Sequence, residues 1–254
     1  MDPADAGHFT TMQVRGGRVQ GRDLHFLRLA MASRELYGSG PAISELGKRF
    51  REALLAPGRH AGDFTLKMRV LPPRPGYRGD DVPPGRHDPA FRIEVDVEPP
   101  RQPPASPLRV RTHAGLRACP GVKHLALDDQ LAARQQARDS GFDDALLLAP
   151  DGRIGEGTFW NIVFWDGSAV VWPDAPALAG VTQSLLRAAL DQAGLPQRID
   201  AVDMASLGGF RAAFALNSTG IAEIAAIDDH VFGGDAGAGA TLRQLLAGVP
   251  WDRG

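Results

Sequence analysis

The sequence predicts a mixed α/β (α+β) chain of two domains, a small N-terminal α+β domain over 1–97 and a larger sheet domain with helices over 108–254. Three observations predict it. Short runs that are apolar or alternate at period two mark strands in both halves. Segments with helical spacing that end at glycine or proline lie between them. The run PPRQPPASP at 99–107 carries five prolines in nine residues. Proline fixes φ and lacks an N–H, so this run can hold neither a helix nor a sheet ladder, and an interdomain linker is expected over 98–107. Its other reading is a surface loop within one domain.

The elements follow in order. Residues 9–19 alternate around Gly16 and Gly17, which predicts a strand, a tight turn and the start of a second strand. Leu24, Leu27, Met31 and Leu36 predict a helix closed by Gly38, and a second helix is expected over 44–55, stopped by Pro57 and Gly58. Strands are expected over 64–71 and 91–97, parted by a Pro/Gly-rich exposed loop. In the second half a strand at 108–112 precedes a helix over 127–140. Short apolar strands at 145–148, 160–165 and 169–172 are separated by DG and DGS turns. A helix over 182–193 ends at Gly194, a strand at 212–216 runs into NSTG, and a last helix covers 241–247.

Composition narrows the function classes. With 28 basic against 30 acidic residues the formal charge is −2, so no net positive field favours nucleic-acid coating. An apolar share of 43% supports a folded core and excludes a disordered chain. The single Cys119 excludes a disulfide framework and multi-thiolate metal sites. No apolar leader opens the sequence and no run is long enough to span a bilayer, so a cytoplasmic protein without membrane or nucleic-acid partners is expected. Only Lys48, Lys67 and Lys123 are lysines, which leaves three candidates for amine chemistry.

Several positions suit catalysis or binding. Lys123, in PGVKHLAL, lies among apolar neighbours, a setting compatible with a nucleophilic amine or with a solvated surface lysine. Glu156 precedes a strongly apolar strand, where a buried carboxylate needs a partner, either an arginine or a protonated heterocyclic nitrogen. In LAGVTQSLL, Gly180 and Thr182 stand at the start of a helix whose first N–H groups suit an anion, although Thr182 also suits an ordinary cap. In NSTG, Thr219 and Gly220 follow a strand and can form a donor-lined turn. Arg28 sits one helical turn after His25 and suits a phosphate, or is a surface arginine. No P-loop, GxGxxG, GxSxG or HExxH pattern occurs.

Taken in order, GHFTTMQVRGGRV, LHFLRL, VKHL, GRIGEGTFWNIVFWDG, LAGVT and NSTGIAEIAAID resemble the class IV aminotransferases, the pyridoxal 5′-phosphate (PLP) enzymes of fold type IV. That group includes branched-chain and D-amino acid aminotransferases and 4-amino-4-deoxychorismate lyases. The resemblance covers residues 7–229 and implies a small α+β domain, a larger pseudo-barrel domain with helices, and a homodimer. It implies that Lys123 forms the internal aldimine with the cofactor and that Glu156 faces the pyridine nitrogen. By the same resemblance Arg28, Val181, Thr182, Thr219 and Gly220 hold the phosphate.

The implied activity is amino transfer between an amino acid or amine and a 2-oxo acid. The alternative is 4-amino-4-deoxychorismate cleavage to 4-aminobenzoate and pyruvate, and a third reading is an inactive binding relative. FTT and VKH resemble the lyases, whereas Ala126, Leu127 and Asp128 replace the Asn-Arg-Leu run the lyases carry, and Asn217 does not align with their nearby asparagine, which favours the aminotransferase. Gln183 replaces the arginine usual after Thr182, a departure at the helix-start contact. The sequence also starts almost at the strand that members precede with a further hairpin, so a trimmed small domain or a misplaced start is expected.

Overall fold

The computed structural model describes residues 1–56, 62–78 and 91–253. Two compact units emerge. The first comprises Met1–Arg101, Gly121–Leu127 and Pro250–Gly254, and the second Gln102–Pro120 and Asp128–Val249.

In the first unit α1 (Pro3–Ala6) leads into β1 (His8–Val14) and β2 (Arg18–Gln20), joined through Gly16 and Gly17 at positive φ. The helix α2 (Arg22–Tyr37) ends where Gly38 adopts φ 73°, a left-handed cap that glycine reaches without steric cost. After α3 (Ile43–Leu55) come β3 (Phe64–Leu71) and β4 (Arg92–Glu98), and β3 is the central strand of an antiparallel sheet ordered β1-β3-β4. Alternate sheet residues Met12, Val14, Leu66, Met68 and Val70 pack with Phe26, Leu29, Leu46 and Phe50 of the helices. Each fully buried side chain of this kind contributes roughly 1.5–3 kcal/mol.

Two later segments join this unit by backbone pairing. His8 bridges His124, with Phe9 N–H donating to Lys123 C=O at 2.9 Å and Leu125 N–H to Gly7 C=O at 2.8 Å. The closing strand Trp251–Arg253 pairs antiparallel with β2. Both segments lie within the 108–254 span that the sequence assigns to the larger domain. Their bonding is long-range and leaves no mark in local composition.

The second unit contains β5 (Leu108–Ala114), α4 (Asp128–Asp139), β6 (Asp144–Leu148), β7 (Ile154–Gly157), β8 (Asn161–Trp165) and β9 (Val170–Pro173). It continues with α5 (Val181–Gln192), β10 (Gln197–Asp200), β11 (Ala212–Asn217), β12 (Gly220–Ile227), β13 (His230–Val231) and α6 (Ala236–Gly248). Its sheet runs β10-β9-β8-β11-β12-β5-β6-β7, and a β7–β8 pairing closes β5, β6, β7, β8, β11 and β12 into a barrel-like ring. Strand residues alternate between two apolar layers. Ile162, Phe164, Ala213 and Ala215 join one core, while Val163, Phe214 and Leu216 pack beneath Leu186, Leu190 and Leu242 of α5 and α6.

The mixed α/β class agrees with the sequence. Strands β7, β10, β12 and β13, the closing strand and α1 were not expected, and α6 begins at Ala236 under an Asp235 cap, ahead of the expected 241. Residues 79–90 of the Pro/Gly-rich loop and the helix stop at Pro57 and Gly58 lie outside the described residues. Among the described residues no helix is long and apolar enough to cross a membrane.

Candidate active site

The residues singled out from the sequence fall into one set on each unit. On the first, the bridge to His8 fixes the backbone on both sides of His124, including the carbonyl of Lys123. Its Nζ stands 4.9 Å from the centroid of the Phe9 ring, and Nζ of Lys67 stands 4.6 Å from the same centroid. Arg28 donates from Nη2 to Thr10 Oγ1, and Thr10 Oγ1 lies 2.6 Å from His25 Nδ1. Burial, then the charges of Arg28 and Lys123, hold the His25 pKa well below its ordinary value of 6.5. His25 is therefore neutral, and its Nδ1 is assigned as acceptor of the Thr10 hydroxyl. The result is a cluster of cations set among uncharged donors, suited to an anionic ligand.

On the second unit Glu156 is buried in β7 beside Arg117, which is also buried. Nε and Nη2 of Arg117 donate to Glu156 Oε1 at 2.9 and 2.5 Å. Charge-assisted bonding of this kind compensates the carboxylate for lost hydration. Sequence inspection missed Arg117. Its partner is 39 residues away, and only the fold brings the two together.

Val181 and Thr182 form the first turn of α5. No side chain caps this helix, and its first internal bond runs from Ser184 N–H to Gly180 C=O at 2.9 Å. The N–H groups of residues 181–183 thus lie outside the helical ladder, at the positive end of the dipole. Gly180 is required here, because a Cβ would fall 2.0 Å from Asn161 Oδ1. The Thr182 hydroxyl donates to Asn217 C=O at 2.7 Å, while Thr219 donates from its N–H and hydroxyl to Asn217 Oδ1 at 2.8 and 2.7 Å. Gly220 follows at φ 130°. Thr182 and Thr219 are therefore brought together through Asn217, and a cavity of about 400 Å³ lined in part by Asn217, Thr219, Gly220, Trp160, Asp144 and Arg134 opens beside this turn.

Residues 7–227 match the family model of amino-transferase class IV. The chain is a class IV aminotransferase family member. This family comprises aminotransferases and lyases that work with PLP. Among curated proteins none matches by sequence.

Solved class IV folds superpose over nearly the whole chain. A protein provisionally described as a 4-amino-4-deoxychorismate lyase from Legionella pneumophila matches at 18% identity and TM-score 0.82, covering 97% of this chain and 92% of its own. A hypothetical aminotransferase from Mycobacterium tuberculosis, in PLP-bound form, matches at 20% and 0.78, over 96% and 89%. The branched-chain amino acid aminotransferase of Escherichia coli matches at 16% and 0.81, over 98% and 90%. At such identities the likeness establishes the fold.

The donor set suits the family cofactor. An uncapped helix start beside a hydroxyl-bearing turn suits a phosphate, and a buried carboxylate suits a protonated ring nitrogen. The Thr219 hydroxyl can rotate from Asn217 to an anion without disturbing the backbone.

Proposed function

We propose that this class IV member is a PLP-dependent aminotransferase that moves an amino group between an amino acid or amine and a 2-oxo acid. The observation that carries the reading is the tie of the uncapped α5 start to the Thr219 turn through Asn217. It supports Val181, Thr182, Thr219 and Gly220 as phosphate-binding groups, and Arg28 joins them in this reading on the family resemblance alone.

Bound PLP supplies an electron sink for charge developing at the substrate Cα. Lys123 Nζ would hold the cofactor aldehyde, and as a free amine it would serve as the base that takes and returns the substrate Cα proton. The Glu156 carboxylate, oriented by Arg117, would hold a proton on the cofactor's ring nitrogen. Lys67, over the same Phe9 ring as Lys123, supplies a second positive charge suited to a substrate carboxylate. Assembly as a homodimer belongs to the same reading and rests on the family resemblance.

Transfer is preferred to cleavage because Ala126, Leu127 and Asp128 stand where the lyases carry Asn-Arg-Leu. FTT at 9–11 and VKH at 122–124 favour the second reading, 4-amino-4-deoxychorismate lyase. One experiment separates them. Purified protein is loaded with PLP and titrated with D- and L-amino donors, following conversion to the pyridoxamine form, in parallel with aminodeoxychorismate. Conversion by a donor supports the transaminase. Formation of an aromatic amine and pyruvate without conversion by any donor assigns the lyase. A Lys123→Ala protein whose PLP absorbance resists borohydride bleaching, against a wild type that bleaches, identifies the reactive amine.

A further inference from the structure

Asp144, at the head of β6, is a buried carboxylate with no assigned part in the reading above. Its Oδ1 accepts the Thr158 hydroxyl at 2.6 Å and the Ala145 N–H at 2.8 Å. Oδ2 accepts the Trp160 indole N–H at 3.1 Å and lies 3.3 Å from Arg134 Nη2. Thr158 and Trp160 belong to the connection between Glu156 and Asn161, which pair across the β7–β8 closure. Both side chains that tether this connection therefore end on one carboxylate.

The tether acts directly on the backbone next to Glu156. Gly157 N–H donates to Trp160 C=O at 2.8 Å, and the indole lies so close over Gly157 that a Cβ there would fall 1.9 Å from the ring. Fixing the indole N–H thus fixes the ring, and the ring fixes the residue after Glu156. At the other end Asn161 donates to Leu178 C=O at 2.8 Å and packs against Gly180, the cap of α5.

We propose that Asp144 is a positioning residue that holds Glu156 in place through Thr158 and Trp160. The inference rests on the PLP reading for its catalytic consequence but not for its geometry. An amide at 144 keeps the size and presents an NH₂ where a hydrogen-bond acceptor is needed, so one tether is lost.

The test uses Asp144→Asn, with Trp160→Phe and Thr158→Val as milder variants should the first fail to fold. Without cofactor, the Arg117 Nε–H resonance, assigned by its loss in Arg117→Lys, reports the Glu156 position. We expect it to shift in Asp144→Asn and Trp160→Phe. With cofactor, we expect kcat to fall on the order of tenfold or more, because small displacements of a catalytic group are costly. The pH at which the bound PLP absorbance titrates shifts too, and this effect disappears in a Glu156→Gln background. An unmoved Arg117 resonance, or a spectral effect that persists undiminished in Glu156→Gln, overturns the proposal. A wild type that takes up no PLP overturns the functional reading alone, since the resonance still decides the role of Asp144.

Discussion

The Thr182 hydroxyl donates to the backbone carbonyl of Asn217 across 2.7 Å, tying the first turn of α5 to the turn that carries Thr219. The helix start and the turn proposed to bind the phosphate are thus held together within one unit, and preorganisation of that kind lowers the ordering cost of binding.

Thr182→Val removes this donor while nearly preserving shape. We expect a loss of about 1 kcal/mol in urea unfolding. PLP binding should weaken by on the order of tenfold, at about 1.4 kcal/mol per decade, as the helix start loses its register against the turn. Thr182→Ser should restore both quantities, and equilibrium dialysis with the unfolding curve checks them.

Gly180→Ala tests the same place by steric means. Its φ of −67° suits any residue, so the cost is confined to the Cβ placed 2.0 Å from Asn161 Oδ1. We expect destabilisation of about 1–3 kcal/mol from overpacking, together with loss of PLP uptake. Adding Asn161→Ala should recover part of the uptake, whereas a double variant no better than Gly180→Ala sinks the steric explanation.

Much of the fold was legible because its signals are local. Gly38 ends α2, and the period-two apolar run of β3 sets that strand at 64–71. Two of the strands that escaped notice lack such a signal, whereas β12, an apolar run from Gly220 to Ile227, carried one that went unread. β7 reads Ile-Gly-Glu-Gly and is too short and glycine-rich to display periodicity, while β10 is mostly exposed and polar. The sequence also pointed to Lys123, Glu156 and Thr182, whose neighbourhoods carry turn and helix-start patterns. It was silent on Arg117, Asn161 and Asp144, because each acts through a partner fixed only by strand pairing and ring closure.

The buried Arg117–Glu156 pair yields a further prediction. Glu156→Ala leaves a guanidinium in the interior without its carboxylate, and we expect a loss of about 3–5 kcal/mol in unfolding free energy. Removing Arg117 as well, in Arg117→Met with Glu156→Ala, should cost less than the sum of the single changes, because no uncompensated charge then remains. Strict additivity in a double-mutant cycle contradicts the pairing.

His8 of β1 and His25 of α2 predict acid sensitivity. His8 is fully buried, with Nε2 2.8 Å from Ser33 Oγ, and its Nδ1 has no hydrogen-bond partner among the described residues. Burial and then the Arg28 charge lower its pKa from 6.5 to about 3, and His25 is lowered by burial, Arg28 and Lys123. Between these limits the unfolded chain binds a proton that the folded chain refuses. Stability is therefore complete above pH 6.5 and falls as pH drops toward 3, by up to about 1.4 kcal/mol per pH unit for each histidine. His8→Gln retains a donor toward Ser33 and cannot protonate, so its urea midpoint should depend less steeply on pH across this window. A variant that follows the wild-type slope throughout rules out His8 as a source of the sensitivity.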